Sequence, residues 1–327
     1  MVLITGASGL LGLHLLKVLS AAGTPVRAMY RSRKADLLPG SVSDNIEWVQ
    51  GDVLDHAALD AALQGVQQVY HAAAIVSYDA RDRDLLMEVN AEGTARVVDA
   101  CLAHGVKKLL FVSSIATLGD EPWPGLISED TPRREEGKRS VYAQSKYRAE
   151  MEVWRGMAEG LQAVIVNPSV MLGEGDWTRS STALFRIVHD EFPFYTTGRT
   201  GWVDAQDVAR ACVLLMNSEI QGERFVLNGG NLAYREVFTL MARAMGKKPP
   251  RYEAKPWMAA LVWRWQVLRG WLTGKRATIT RETARSAREE KGYSSAKFLQ
   301  VFQDFRWSEV EETVTRVCGA IQKNLLV

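Results

Sequence analysis

Short apolar runs and amphipathic stretches alternate through the first half of this chain. Met1 to Ile4 is apolar and ends at a glycine-rich turn, after which Leu10-Leu11-Gly12-Leu13-His14-Leu15-Leu16 reads as a helix. Pro25 to Tyr30 is a second strand and Ile46 to Gln50 a third, followed by Gly51-Asp52-Val53. A helix near His56 to Leu63 leads to a strand at Val69-Tyr70-His71. The pattern then predicts a long helix over about Leu85 to Ala103, a strand at Leu109 to Val112, a long helix from about Ser140 to Ala158, and a strand at Ala163 to Val166. Strands buried on both faces read as nearly continuous apolar runs, and helices alternating with them cover both faces of a parallel sheet. The expected fold class is α/β, a doubly wound parallel sheet.

Past Pro168 the regularity breaks. Ser169 to Trp202 reads as loop with one short helix near Ala183 to Val188. Gln206 to Met216 is again a helix and Arg224 to Leu227 a strand, so the chain is expected to return to the sheet. From Asn231 onward the pattern is mostly helical. The expected organisation is a main domain over 1–168, rejoined by 203–228, and a smaller, mostly helical C-terminal lobe built from 169–202 and 229–327.

The first turn carries candidate chemistry. In Gly6-Ala7-Ser8-Gly9-Leu10-Leu11-Gly12, Gly6 allows the turn, Gly9 lets a pyrophosphate approach the backbone, and Gly12 lets the helix pack against the strand. Free N–H groups and the positive end of a helix dipole converge there, which makes an anion site of the kind that holds dinucleotides.

Composition narrows the rest. Forty basic and thirty-eight acidic side chains nearly cancel, so no global field favours nucleic acid. Cys101, Cys212 and Cys318 are far apart, and with the five histidines they form no metal motif, so no metal is expected. The first strand begins at Val2, and no uncharged apolar run reaches the roughly 18 to 20 residues of a membrane span. The expected location is cytoplasmic.

Tyr142-Ala143-Gln144-Ser145-Lys146 places a phenol and an ammonium four apart, on one helix face. A cation beside a phenol favours the phenolate, so a lowered tyrosine pKa is expected. Upstream, the strand ending in Val112-Ser113-Ser114 would set a hydroxyl at the sheet edge where open α/β folds bind ligands.

With these motifs in hand, the chain resembles the extended short-chain dehydrogenase/reductases, the superfamily of nucleotide-sugar epimerases, dihydroflavonol reductases and 3β-hydroxysteroid dehydrogenases, which share the Rossmann fold. The resemblance rests on Thr5 to Gly12, Gly51-Asp52-Val53, His71-Ala72-Ala73, Val89-Asn90-Ala91-Glu92-Gly93-Thr94, Phe111 to Ser114, Tyr142 to Lys146, and Asn167-Pro168-Ser169-Val170-Met171-Leu172-Gly173. It implies that Ser114 polarises a substrate oxygen, with Ser113 the neighbouring alternative. It makes Tyr142 the proton donor or acceptor and Lys146 the holder of the nicotinamide ribose, and it gives Asn90 a supporting place. It implies cofactor contacts at Gly6, Ser8, Gly9, Leu10, Leu11, Gly12, Asp52, Val53, Ala72, Ala73, Ala74, Pro168 and Val170. His71, inside a cofactor motif, reads as structural.

Cofactor choice is read after the second strand, where Arg31-Ser32-Arg33-Lys34 stands with no acid before Asp36. A ribose 2′-phosphate needs cations and a free 2′-hydroxyl needs an acid, so NADP is expected over NAD, with Arg31, Ser32 and Arg33 as partners. Ser114 is followed by Ile115 rather than by the acidic pair that the resemblance associates with dehydratases. The expected activity is interconversion of a ketone or aldehyde and an alcohol on a hydrophobic small molecule. Tyr78, Met171, Leu172, Trp177, Tyr195 and Trp202 are the candidate apolar wall, each of which taken alone also reads as core. The alternative is a nucleotide-sugar epimerase with tightly held NAD. The partner is a small molecule, and the chain a monomer or homodimer.

One segment stands apart. Trp257, Trp263, Trp265 and Trp271 are four of the ten tryptophans, and residues 251–300 carry eleven basic against four acidic side chains. Trp257, Leu261, Trp265, Leu268 and Leu272 follow at spacings of three and four after Pro256, the stripe of a packed lobe helix. A peripheral membrane contact through 256–290 is the rival reading.

Overall fold

The computed structural model describes residues 1–32, 45–133, 139–177, 180–255 and 285–325. Arg33, Lys34, Asp36 and the Trp-rich stripe from Pro256 to Leu272 lie outside the described residues.

A seven-stranded parallel sheet forms the centre. Its strands are β1 (Val2–Thr5), β2 (Val26–Tyr30), β3 (Ile46–Gln50), β4 (Gln68–His71), β5 (Lys108–Val112), β7 (Ala163–Pro168) and β11 (Glu223–Leu227), and its order is β11-β7-β5-β4-β1-β2-β3. The intervening short strands are β6 (Leu126–Ile127), β8 (Val170–Leu172), β9 (Phe194–Tyr195) and β10 (Arg199–Asp204). After β1 the chain moves outward to β2 and β3, and β4 pairs with the other side of β1. This is the reversal at which open α/β sheets bind ligands.

Strict alternation along each strand explains why both faces are covered. Leu3, Val69, Leu109, Phe111 and Ile165 point to one face. There they meet Leu59 and Leu63 of α2 (His56–Leu63), Val97 and Cys101 of α4 (Gly93–Ala103), and Val153 of α5 (Val141–Ala158). Ile4, Leu110, Val112, Val164 and Val166 point to the other, against Leu11 and Leu15 of α1 (Leu10–Ala21) and Val208 and Leu215 of α7 (Ala205–Asn217). Successive side chains point to opposite faces of a strand, so an unbroken apolar run feeds two cores. A short helix α3 (Arg83–Leu86) and one wide turn (Met87–Glu92) precede α4, so the expected long helix carries a π-type turn at Asn90.

Beyond Pro168 the structure holds more strand than the sequence suggested. β8, β10 and β12 (Gly230–Ala233) make a second, three-stranded sheet. β9 pairs with β13 (Tyr252–Glu253), and β6 with β14 (Gly292–Tyr293). A third core gathers Phe185 and Val188 of α6 (Ala183–His189), Trp202, Val237 and Met241 of α8 (Tyr234–Met245), and Val314, Val317 and Cys318 of α10 (Val310–Leu325). β11 pairs with β7 in the main sheet. Phe298 of α9 (Ala296–Val301) and Phe305 pack in the main core too. Among the described residues no helix is long and apolar enough to cross a membrane. The three cysteines are buried and free, and burial pushes the Cys101 and Cys318 thiols up to about 12.

Two buried histidines couple the fold to pH. Burial draws His71 down to about 3 and His14 to about 4, with Lys146 adding to the first and Lys17 to the second. The unfolded chain takes up these protons near pH 6.5 and the folded chain refuses them. Stability therefore falls as pH drops below 6.5, by up to about 1.4 kcal/mol per pH unit for each imidazole. Urea unfolding at pH 6.5 and pH 5, above the range of most carboxylates, should show this decline. A flat profile would contradict it.

Candidate active site

The glycine turn is shaped by steric necessity. Gly6 adopts φ +71°, and a Cβ on it would stand 2.6 Å from the Ala73 nitrogen, so the backbone of Ala72 and Ala73 presses directly on the turn. A Cβ on Gly12 would lie 2.3 Å from the Gly6 carbonyl oxygen. Gly9 is the N-cap of α1, no side chain caps that helix, and no acid stands in its first turn. Ser8 and Gly9 are exposed and Leu10 half-buried, while Leu11 and Gly12 are buried. An uncapped helix N-terminus behind a cradle that admits no side chain suits a dinucleotide pyrophosphate.

The other cofactor candidates stand at or just beyond the C-terminal ends of the main-sheet strands. Ala72 and Ala73 follow β4, their nitrogens bonding to the Thr5 carbonyl and hydroxyl, and Ala74 is exposed. Asp52 follows β3, accepts from the Leu54 nitrogen at 3.0 Å and lies 4.0 Å from the Arg31 guanidinium. Val53 is buried beneath it against Gly93. Arg31 and Ser32 are exposed just after β2. Pro168 closes β7 and Val170 opens β8.

His71 sits between two hydroxyls, with Nδ1 2.7 Å from Thr5 Oγ1 and Nε2 3.0 Å from Thr94 Oγ1. It ties β1, β4 and α4 together, as a structural group does.

The candidate catalytic residues stand near one another where β5 ends. The Tyr142 hydroxyl, at the start of α5, has the Ser114 side chain as its neighbour, close enough to favour the phenolate. Ser114 caps a short helical turn, its Oγ accepting from the Ala116 nitrogen at 3.2 Å. Ser113 points elsewhere, donating to the buried Glu150 carboxylate at 2.5 Å, so of the two serines Ser114 faces the phenol. Lys146 is buried, with Nζ donating to the Val112 carbonyl at 2.7 Å and lying 4.4 Å from the Phe111 ring centroid. Asn90 accepts from the Ile75 nitrogen at 2.8 Å and donates to the Ser145 hydroxyl at 3.0 Å, pinning the loop after β4 to α5.

The electrostatics correct one expectation. The Tyr142 phenol lies above, not below, its ordinary range: burial pushes it up, the neighbouring Tyr78 phenol adds to this, and the Ser114 hydroxyl only partly offsets both. Lys146 does not lower it, because its amine is turned to the Val112 carbonyl and burial draws it down to about 7.

The candidate substrate wall divides. Tyr78 stands beside Tyr142 with ring centroids 5.7 Å apart, in an apolar cluster with Ile75, Leu86, Val141 and Ala116. Trp202 and Leu172 take the core reading that the sequence also allowed, because the second sheet turns them toward α8 and α10. Trp202 is fully buried and donates to the Leu232 carbonyl at 3.0 Å. Trp177 packs edge-on against His189, Tyr195 lies under Arg235, and Met171 packs against the main core. Sequence reasoning missed the half-buried Tyr234 and the buried Tyr293, phenols within electrostatic reach of Tyr78. It also missed Asn167 and Glu150, although Glu150 follows Lys146 at the spacing that keeps it on the same helix face.

These parts belong to a recognisable family. Residues 2–228 match the NAD dependent epimerase/dehydratase family, and the chain belongs to it. The chain is an NAD(P)-dependent enzyme of the oxidoreductase kind. It is 30% identical over 258 residues to sterol demethylase protein B of Methylococcus capsulatus, covering 78% of this chain and 77% of that one. It is 27% identical over 314 residues to a putative dihydroflavonol 4-reductase of Synechocystis, covering 91% and 88%. The crystal structure of gox2253 superposes with a TM-score of 0.81 at 28% identity, covering 99% of this chain and 98% of that one.

Proposed function

We propose that this chain is an NADP-dependent reductase that interconverts a ketone or aldehyde and an alcohol on a hydrophobic small molecule. The observation that carries the reading is the placing of the Ser114 hydroxyl next to the Tyr142 phenol at the end of β5, near enough to act on its ionisation, with Lys146 one helical turn away. The bound dinucleotide supplies the hydride. Ser114 donates to the carbonyl oxygen and polarises it. Tyr142, held protonated by its burial, gives that oxygen its proton as charge develops there. Lys146 is the cation that would hold the nicotinamide ribose, from the face of α5 that carries Tyr142. Asn90 keeps α5 in register with the loop after β4. The apolar neighbours of Tyr142 favour a hydrophobic skeleton over a sugar nucleotide, and the similarity to a putative dihydroflavonol reductase supports the same branch. On this reading the protein is cytoplasmic, acts on a small molecule, binds no nucleic acid, and works as a monomer or homodimer.

The test is consumption of NADPH with a panel of aliphatic and aromatic ketones and aldehydes. Turnover with at least one is expected. Purification with firmly held NAD and activity on a nucleotide sugar would instead identify an epimerase.

Arg31 supports the cofactor preference, being an exposed cation directly after β2. The double change Arg31→Asp with Arg33→Ala should remove charge-assisted hydrogen bonds of roughly 1.5–3 kcal/mol each from the 2′-phosphate. NADPH affinity should then fall at least about tenfold, with NADH affinity held or improved. Equal affinity of the unaltered protein for both cofactors would refute the preference.

A further inference from the structure

Glu150 is fully buried, and no step of the proposed reaction uses it. One of its carboxylate oxygens, Oε1, lies 2.5 Å from Ser113 Oγ, 2.7 Å from Thr117 Oγ1 and 2.7 Å from Asn167 Nδ2. The other, Oε2, has no hydrogen-bond partner among the described residues, and its nearest cation is the Arg224 guanidinium at 3.8 Å. Burying a carboxylate is costly unless donors and a counter-charge surround it, so this arrangement calls for a reason beyond packing.

Two consequences converge on the reacting residues. Ser113 and Thr117 bracket Ser114, and Asn167 donates to the Ser114 carbonyl at 3.1 Å as well as to Glu150. The carboxylate therefore holds both ends of the turn that aims the Ser114 hydroxyl at Tyr142. Glu150 is also one helical turn beyond Lys146 on α5. We propose that Glu150 is a positioning residue that fixes the Ser114 turn and sets the charge on Lys146, with Arg224 opposing it from β11. This rests on the reading of Lys146 as the ribose-binding cation.

The groups around the pair are few. Lys146 is faced by His71 from β4, by the Phe111 ring and Val112 carbonyl from β5, and by Glu150 from its own helix. Glu150 is faced by Ser113 and Thr117, by Asn167 from β7, by Arg224 from β11, and at longer range by Arg133. Arg224 in turn bonds the Glu129 backbone carbonyl. His71 is neutral, so Glu150 is the anion that sustains the Lys146 charge against burial. An opposite charge at such range moves a pKa by about one unit or more.

The test reads cofactor binding rather than turnover. The Kd of NADPH, followed by its fluorescence from pH 5.5 to 9, should rise as Lys146 loses its proton; the cofactor's own ionisation is common to all variants. Glu150→Gln should move that midpoint down by about one pH unit. Arg224→Met, which leaves the carboxylate unopposed, should move it up. Glu150→Asp, which keeps the charge, should return it towards the original value while stretching the contacts to Ser113 and Thr117. An unmoved midpoint in Glu150→Gln and Arg224→Met, with only lower melting temperatures, would reduce Glu150 to a brace and overturn the proposal. If Glu150→Gln fails to fold, the upward displacement in Arg224→Met decides alone. Failure of the reductase reading would show differently, as cofactor binding with no carbonyl consumed.

Discussion

Replacing Tyr142 by phenylalanine should lower turnover by about 10²- to 10⁴-fold while leaving NADPH binding largely intact. The substitution removes one oxygen and keeps the ring against Tyr78, so packing changes little. What goes is the hydroxyl beside Ser114 and the proton that the carbonyl oxygen must receive. The loss should appear in kcat and in kcat/KM alike, as it does for an interaction made in the transition state. The phenol sits above its ordinary range, so its proton is available throughout neutral pH in the reducing direction. Near-normal kcat in Tyr142→Phe would remove Tyr142 from the reaction.

Gly12→Ala should be as damaging by another route. The added methyl would meet the Gly6 carbonyl oxygen and the Ala7 backbone, neither of which can yield without moving β1 away from α1. Overpacking of this kind costs about 1–3 kcal/mol of stability. The displaced helix N-terminus would also lose charge-assisted hydrogen bonds to the pyrophosphate, roughly 1.5–3 kcal/mol each, so NADPH should bind at least about 100-fold more weakly. Calorimetric titration and a thermal melt on the same sample check both effects. Unchanged affinity would place the dinucleotide elsewhere.

The main sheet was legible because each of its strands obeys one strong rule. A run such as Leu109 to Val112 is apolar at every position because its alternate residues feed two cores. β8, β10 and β12 were not legible for the opposite reason. Gly201, Gly230 and Asn231 interrupt the alternation, and the sheet is held by pairing between segments tens of residues apart. Trp202 shows the same limit: in a glycine-rich stretch an aromatic reads equally as pocket wall or as core, and β10 turns it inward.

The site was legible as motifs and not as charges. Spacing brought Tyr142 and Lys146 to one helix face, but spacing says nothing of burial, and burial decides that the phenol is raised and the amine lowered. Glu150 lay in plain view four residues after Lys146. Its significance depends on Ser113, Thr117, Asn167 and Arg224, which come from three other parts of the chain.

The central claim is that Ser114, Tyr142 and Lys146 direct hydride from NADPH to a carbonyl carbon. NADPH deuterated at C4 of the nicotinamide, incubated with the protein and each member of the carbonyl panel, tests it most directly by mass spectrometry of the products. An alcohol carrying one deuterium on the former carbonyl carbon, formed by the unaltered protein and nearly absent with Tyr142→Phe, is the expected result. No deuterated alcohol from any carbonyl, alongside NAD released from the denatured protein and turnover of a nucleotide sugar, would contradict it.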